Sequence, residues 1–102
     1  MPEAQIIHIS YDDAAKDPDN PVRGKLFNEQ IGQDVYFDCN IDYTGDDVNF
    51  KNFTHVMLRG KKDSLYKKVL ETNEKSNVFL YINSLGGEGI LSFPNFEYLY
   101  AD

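Results

Sequence analysis

Three kinds of side chain in this sequence bear on covalent chemistry: one thiol, Cys39; two imidazoles, His8 and His55; and the neighbouring carboxylates Asp12, Asp13, Asp46 and Asp47. A thiol is nucleophilic only as the thiolate and needs a base to take its proton, so Cys39 would have to meet His8 or His55 in space. Its close neighbours Asp38 and Asp42 oppose thiolate formation, and the sequence therefore reads Cys39 as a small hydrophobe. His8 lies in an apolar run and His55 on a helical pattern, which makes each a structural or surface histidine. The aspartate pairs sit in turn-forming sequence and read as solvated loop carboxylates rather than a metal cage or an acid/base pair. Gly86-Gly87-Glu88-Gly89 could let backbone approach a phosphate, but the Lys-Ser/Thr of a P-loop is missing and Glu88 repels anions. Asn52-Phe53-Thr54 is a formal glycosylation acceptor inside a predicted helix. A single cysteine excludes an internal disulfide and any multi-cysteine metal site, and no cofactor or metal set is predicted.

The elements that must position these groups follow from hydrophobic period and punctuation. Residues 5–10, Gln-Ile-Ile-His-Ile-Ser, predict a buried strand emptying into the Tyr11-Asp12-Asp13 loop. Pro18, Pro21 and Gly24 make residues 16–24 a loop. Val35-Tyr36-Phe37 predicts a brief strand, and residues 42–47 a turn. Phe50, Phe53, Val56 and Met57 share one face of a helix over residues 50–59, with Asn49 as its cap and Gly60 as its stop. A second, weaker helix is predicted over residues 64–72. Asn77-Val78-Phe79-Leu80-Tyr81-Ile82-Asn83 is the most continuous apolar run and predicts a central strand buried on both faces. Residues 90–93, a Pro94-Asn95 turn and residues 98–100 predict a small hairpin. Strand, helix and strand in this order give a parallel crossover, whose site lies beyond the strand ends and so just after Asn83.

Composition bounds the function. The 102 residues suffice for one small domain, and 41% apolar with 26% charged residues is the balance of a folded chain. A net charge of -7, with Lys and Arg scattered apart from Arg59, Lys61 and Lys62, argues against nucleic acid or an anionic membrane as a partner. No stretch approaches the ~20 apolar residues of a membrane span. Met1 to Gln5 has neither the basic start nor the apolar core of a secretory signal, which leaves the compartment open.

Six collinear segments resemble the legumain family of asparaginyl endopeptidases, a branch of the caspase-like fold. They are Gln5-Ile6-Ile7 leading to Tyr11-Asp12-Asp13; Asn20-Pro21 with Gly24-Lys25-Leu26-Phe27-Asn28; Asp42-Tyr43-Thr44-Gly45-Asp46-Asp47-Val48; Asn52-Phe53 with Leu58-Arg59-Gly60; Val78-Phe79-Leu80-Tyr81; and Gly89-Ile90-Leu91 with Phe93-Pro94-Asn95. The resemblance implies an α/β fold, a partial caspase-like parallel sheet with flanking helices and a small β-hairpin. It also implies that residues 1–102 are an internal piece of a legumain-like cysteine peptidase domain. The related alternative, supported by Gly86-Gly87, is a piece of a glycosylphosphatidylinositol transamidase-like protein.

In that family the central strand ends in Asp-His-Gly, and the resemblance lays Ser84 on the acid, Leu85 on the catalytic histidine and Gly86 on the glycine. Leucine has no proton to give or accept, whereas the Gly86 amide remains an oxyanion candidate. The family's nucleophilic cysteine lies on a following strand, for which this sequence offers no counterpart before Asp102. The resemblance thus implies a family of endopeptidases cleaving after Asn, lysosomal or vacuolar, of which this chain is expected to be an inactive copy. A non-catalytic interaction module, engaging an active relative or its protein inhibitor, is the reading from a different functional class.

Overall fold

The computed structural model describes residues 1–58 and 68–102. Three short 3-10 turns cover Glu3–Gln5, Ala14–Lys16 and Gly45–Asp47, and one α-helix, α1, covers Phe50–Met57. Three strands follow, β1 (Gly86–Gly87), β2 (Ile90–Ser92) and β3 (Tyr98–Tyr100), in a sheet of that order with both pairings antiparallel. The fold is therefore a small α/β arrangement. Among the described residues, parallel pairing is confined to one bridge, Ile9 to Tyr43.

Helix α1 forms where the periodicity places it. Asn49 is extended, and its side-chain oxygen accepts from the Asn52 amide at 2.8 Å, satisfying one of the first-turn donors. Val56 is buried, while Phe50 and Phe53 meet Phe93 with ring centroids 6.3 and 5.7 Å apart. The helix is thereby docked on the hairpin. Its last residue is Met57, with Leu58 as the C-cap, and the predicted stop at Gly60 lies outside the described residues.

The hairpin also forms as predicted, with Ile90 opposite Tyr100, Leu91 opposite Leu99 and Ser92 opposite Tyr98. Its turn closes with Phe96 N–H to Phe93 O at 3.0 Å and Phe93 N–H to Glu97 O at 2.9 Å. Gly86 joins the sheet because it lacks a side chain: a Cβ there would sit 2.5 Å from the Ile90 carbonyl oxygen.

Other expectations are corrected. Residues 5–10 are not a strand: pairing is limited to the Ile9 bridge, Ser10 N–H to Tyr43 O at 3.0 Å, and the Asp42 and Tyr43 N–H groups to His8 O at 2.8 and 3.2 Å, because the chain on either side turns away into 3-10 turns. Val35-Tyr36-Phe37 belongs to a turn over residues 35–38, tightened by Asp38 in the left-handed region (φ 57°). Of the second predicted helix, residues 68–72 are not helical and residues 64–67 lie outside the described residues. Residues 77–83 are exposed throughout and belong to no sheet, since a strand needs neighbours to close its backbone bonds and no backbone hydrogen bond among the described residues reaches them. No described helix is long and apolar enough to cross a membrane.

Four apolar residues are buried among those described: Ala15, Tyr43, Val48 and Val56. With so small a core, polar ties carry much of the organisation. The Lys68 ammonium donates to Ile6 O at 2.6 Å, Glu3 O at 3.0 Å and Asp42 Oδ1 at 3.2 Å. The Tyr43 hydroxyl donates to Lys68 O and accepts from Lys68 N–H at 3.3 Å. Asp42 closes the knot by accepting from His8 N–H at 2.8 Å. Removing one partner of such a bond costs about 1 to 1.5 kcal/mol, roughly a tenfold change in a local opening equilibrium. Tyr43→Phe is accordingly expected to speed amide hydrogen exchange at Ser10 and Asp42 about tenfold while leaving the hairpin amides of residues 98–100 unchanged, read by two-dimensional NMR.

Candidate functional site

Two places in the fold hold the residues singled out above. The first is the entry to the hairpin, where Ser84 and Leu85 precede β1. The Leu85 carbonyl oxygen accepts from Ser92 N–H at 3.0 Å and from Ser84 Oγ at 3.1 Å, so the backbone is held against β2. Its isobutyl side chain points out, 84% exposed, on a surface where an ionisable group would be hydrated and reachable. Gly86 follows in β1 opposite Leu91 and is likewise exposed. The three positions assigned to acid, base and oxyanion amide are thus contiguous and surface-accessible. No side chain there can transfer a proton at neutral pH, since Ser84 is an alcohol and Leu85 a hydrocarbon.

The glycines after Leu85 serve the sheet. Gly86 and Gly87 pair with Leu91 and Ile90, and Gly89 takes a positive φ of 71° to turn the chain into β2. No helix follows them, so the arrangement lacks the amide-lined helix start of a phosphate cradle.

The second place surrounds Cys39, where the sequence reading is corrected twice. Cys39 is exposed and not a packed hydrophobe, because it leaves the 35–38 turn toward solvent. Its Sγ also lies 3.9 Å from His8 Nδ1, a residue 31 positions away. The contact comes from the same crossing that pairs residues 8–10 with 42–43, and no local sequence signal reports it. Asp12, in the left-handed region at φ 62°, accepts from the Tyr36 hydroxyl beside this pair. That hydrogen bond, then desolvation, then the negative charges of Asp12 and Cys39 hold the Tyr36 phenol above the ordinary tyrosine value of 10.0.

His55 sits on α1, half-buried. Asp46 and Asp47 lie in a 3-10 turn whose carbonyls accept from Asn49 and Asn52 side-chain amides at 2.9 Å, which ties the start of α1 to that turn. Among the described residues no three His, Cys, Asp or Glu side chains converge on a metal-sized space.

Comparison with known proteins places the chain in a family. The peptidase C13 family profile matches residues 1–102. Bovine legumain is 43% identical over 99 residues, covering 93% of this chain and 23% of its own length. The castor bean (Ricinus communis) vacuolar-processing enzyme is 40% identical over 104 residues, covering 99% of this chain and 21% of its own, and human legumain is 41% identical over 99. The chain spans between a fifth and a quarter of the length of these curated relatives.

The Tyr36 arrangement sets an alkaline signature. A group whose proton is held more tightly in the folded state stabilises that state below its unfolded pKa and loses the contribution as pH rises through the folded one. The Tyr36 phenol is expected to ionise above pH 10, read as the difference in 295 nm absorbance between the chain and its Tyr36→Phe variant. In Asp12→Asn, which removes the charge and tolerates the backbone, that Tyr36 ionisation is expected to move down toward the ordinary tyrosine value.

Proposed function

The chain belongs to the peptidase C13 family, and from that membership we propose that it carries the histidine-bearing segment of a legumain-type cysteine peptidase in a catalytically disarmed form. The observation behind this is Leu85. The family's chemistry, cleavage after Asn by a thiolate, requires a base to move the proton of the thiol and later of the leaving amine. The position that the resemblance gives to this base is an exposed hydrocarbon, and the residue before it is an alcohol. Gly86 keeps an amide at the oxyanion position, which stabilises charge only after a nucleophile has attacked.

The finer architecture belongs to the same proposal. We read the crossing of Ile9 with Tyr43 and the apolar run 77–83 as positions in a partial caspase-like parallel sheet. The parallel bridge between Ile9 and Tyr43 supports this reading. So does the alternation of exposure along residues 78–82, at 51, 86, 52, 76 and 42%. A chain disarmed in this way would act by binding, and an active relative or its protein inhibitor is the partner its surface would have kept in common with active family members.

The test isolates the substituted position within a competent enzyme. A chimera of bovine legumain carrying residues 77–95 of this chain is expected to lose at least about 10³-fold in kcat/KM on an Asn-containing fluorogenic peptide, the scale set by removing a general base. Restoring Ser84→Asp and Leu85→His inside the graft is expected to recover most of that loss. Undiminished activity in the unrestored chimera would sink the proposal.

A further inference from the structure

The hairpin has two faces, and its register says which side chains share them. Ile90, Leu91 and Ser92 stand opposite Tyr100, Leu99 and Tyr98, and the bond from Phe93 N–H to Glu97 O at 2.9 Å carries that ladder one residue further. On the other edge of β2, Gly86 stands opposite Leu91, and the bond from Ser92 N–H to Leu85 O at 3.0 Å sets residue 85 opposite Ser92. Residues opposite each other share a face, and successive residues alternate between faces. Residue 85 therefore shares the face of Ser92 and Tyr98, while Phe93 belongs to the reverse face. The rings of Tyr98 and Tyr100, two positions apart with centroids at 6.4 Å, follow the same period.

The reverse face is the one that meets α1. Phe93 meets the Phe50 ring edge-on, with 86° between the planes, and the Phe53 ring at a tilt of 57°, and all three side chains are half-buried. Phe50 and Phe53 lie three residues apart and so on one side of α1. The helix is itself anchored, at its start by the Asn49 cap and the bond from Asn52 Nδ2 to Asp47 O, and near its end by Leu70 N–H to Val56 O. Strands of two and three residues hold themselves poorly in water, and packing on a helix supplies what they lack.

Contacts thus run from α1 through the Phe93 ring to the main chain of Ser92, and from there to the Leu85 carbonyl. We propose that Phe93 is the positioning residue of the hairpin entry: gripped by Phe50 and Phe53, it fixes the strand that holds the main chain at position 85 and turns that side chain to the face away from α1. The coupling stands on these contacts alone, and its meaning for catalysis rests on the reading of position 85 given above.

The experiment uses the full chain and reads amide hydrogen exchange by two-dimensional NMR, together with the scalar coupling across the hydrogen bond from the Ser92 nitrogen to the Leu85 carbonyl carbon. Phe93→Ala is expected to speed exchange at Ser92 at least about tenfold and to weaken that coupling, while the Ser10 and Asp42 amides beside Lys68 keep their rates. Phe93→Tyr, which keeps the ring, is expected to hold both values, and Phe53→Ala, a change in α1 rather than in the hairpin, to reproduce the loss at Ser92. Unchanged exchange at Ser92 in Phe93→Ala would overturn the proposal. So would an equal rise at Ser10 and Asp42, which marks general loosening. Neither reading needs activity, so both decide the coupling whatever becomes of the disarmed reading. The catalytic consequence is measured in bovine legumain carrying residues 49–95 of this chain with Ser84→Asp and Leu85→His. There Phe93→Ala is expected to lower kcat about tenfold at unchanged KM, and Phe93→Tyr to keep it. A rise in KM at unchanged kcat would contradict a positioning role.

Discussion

The arrangement of this molecule hangs on one ammonium group. Lys68 reaches the carbonyls of Glu3 and Ile6 and the carboxylate of Asp42, and its own backbone is held on both sides by the buried Tyr43 hydroxyl. Lys68 and Asp42 are each about a fifth exposed, so their attraction is screened less than that of a surface pair, and their desolvation is offset by further hydrogen bonds. Without this knot the segments around residues 3–10, 42–43 and 68 share little: the buried apolar set among the described residues is four side chains, one of which is Tyr43 itself. The Cys39 and His8 contact, the Ile9 and Tyr43 bridge and the placement of Leu70, whose N–H bonds Val56 O at 3.0 Å, all lie within reach of that tie.

What could be read from the sequence was what local chemistry decides. Helix α1 was legible because Asn49 supplies a cap and four apolar residues fall on one face. The hairpin was legible because a Pro-Asn turn separates two apolar runs. Residues 77–83 were read as a central strand buried on both faces, and they are exposed and outside the sheet. Alternation and β-branching fix how side chains point, but whether a strand is covered depends on a neighbour that a local pattern cannot supply. The knot around Lys68 was invisible for the same reason, since it joins polar residues 25 to 65 positions apart. Cys39 was read from the nearby Asp38 and Asp42 as a small hydrophobe, and the sequence offered no ground to choose His8 as its neighbour, because that imidazole arrives from 31 positions away.

The candidate site separates scaffold from chemistry. The hairpin entry keeps the features that would hold a catalytic residue in place: a backbone carbonyl fixed by Ser92 and Ser84, a glycine whose missing Cβ lets β1 approach Ile90, and an outward side chain at position 85. All three act through the main chain and are indifferent to the identity of that side chain. A histidine or a leucine at position 85 would therefore cost the main chain the same, which is what the proposed disarmed form requires.

The central claim is that position 85 leaves this chain without a base, and it is met most directly by active-site titration. The purified chain is incubated at pH 5 to 7 with an electrophilic Asn-containing probe that labels only a thiolate with its proton acceptor in place, and turnover of a fluorogenic Asn peptide is followed in parallel. The account predicts no stoichiometric labelling and no turnover above buffer. Labelling that tracks turnover, with both abolished together by Cys39→Ala, would contradict it and would move the catalytic centre to the Cys39 and His8 pair.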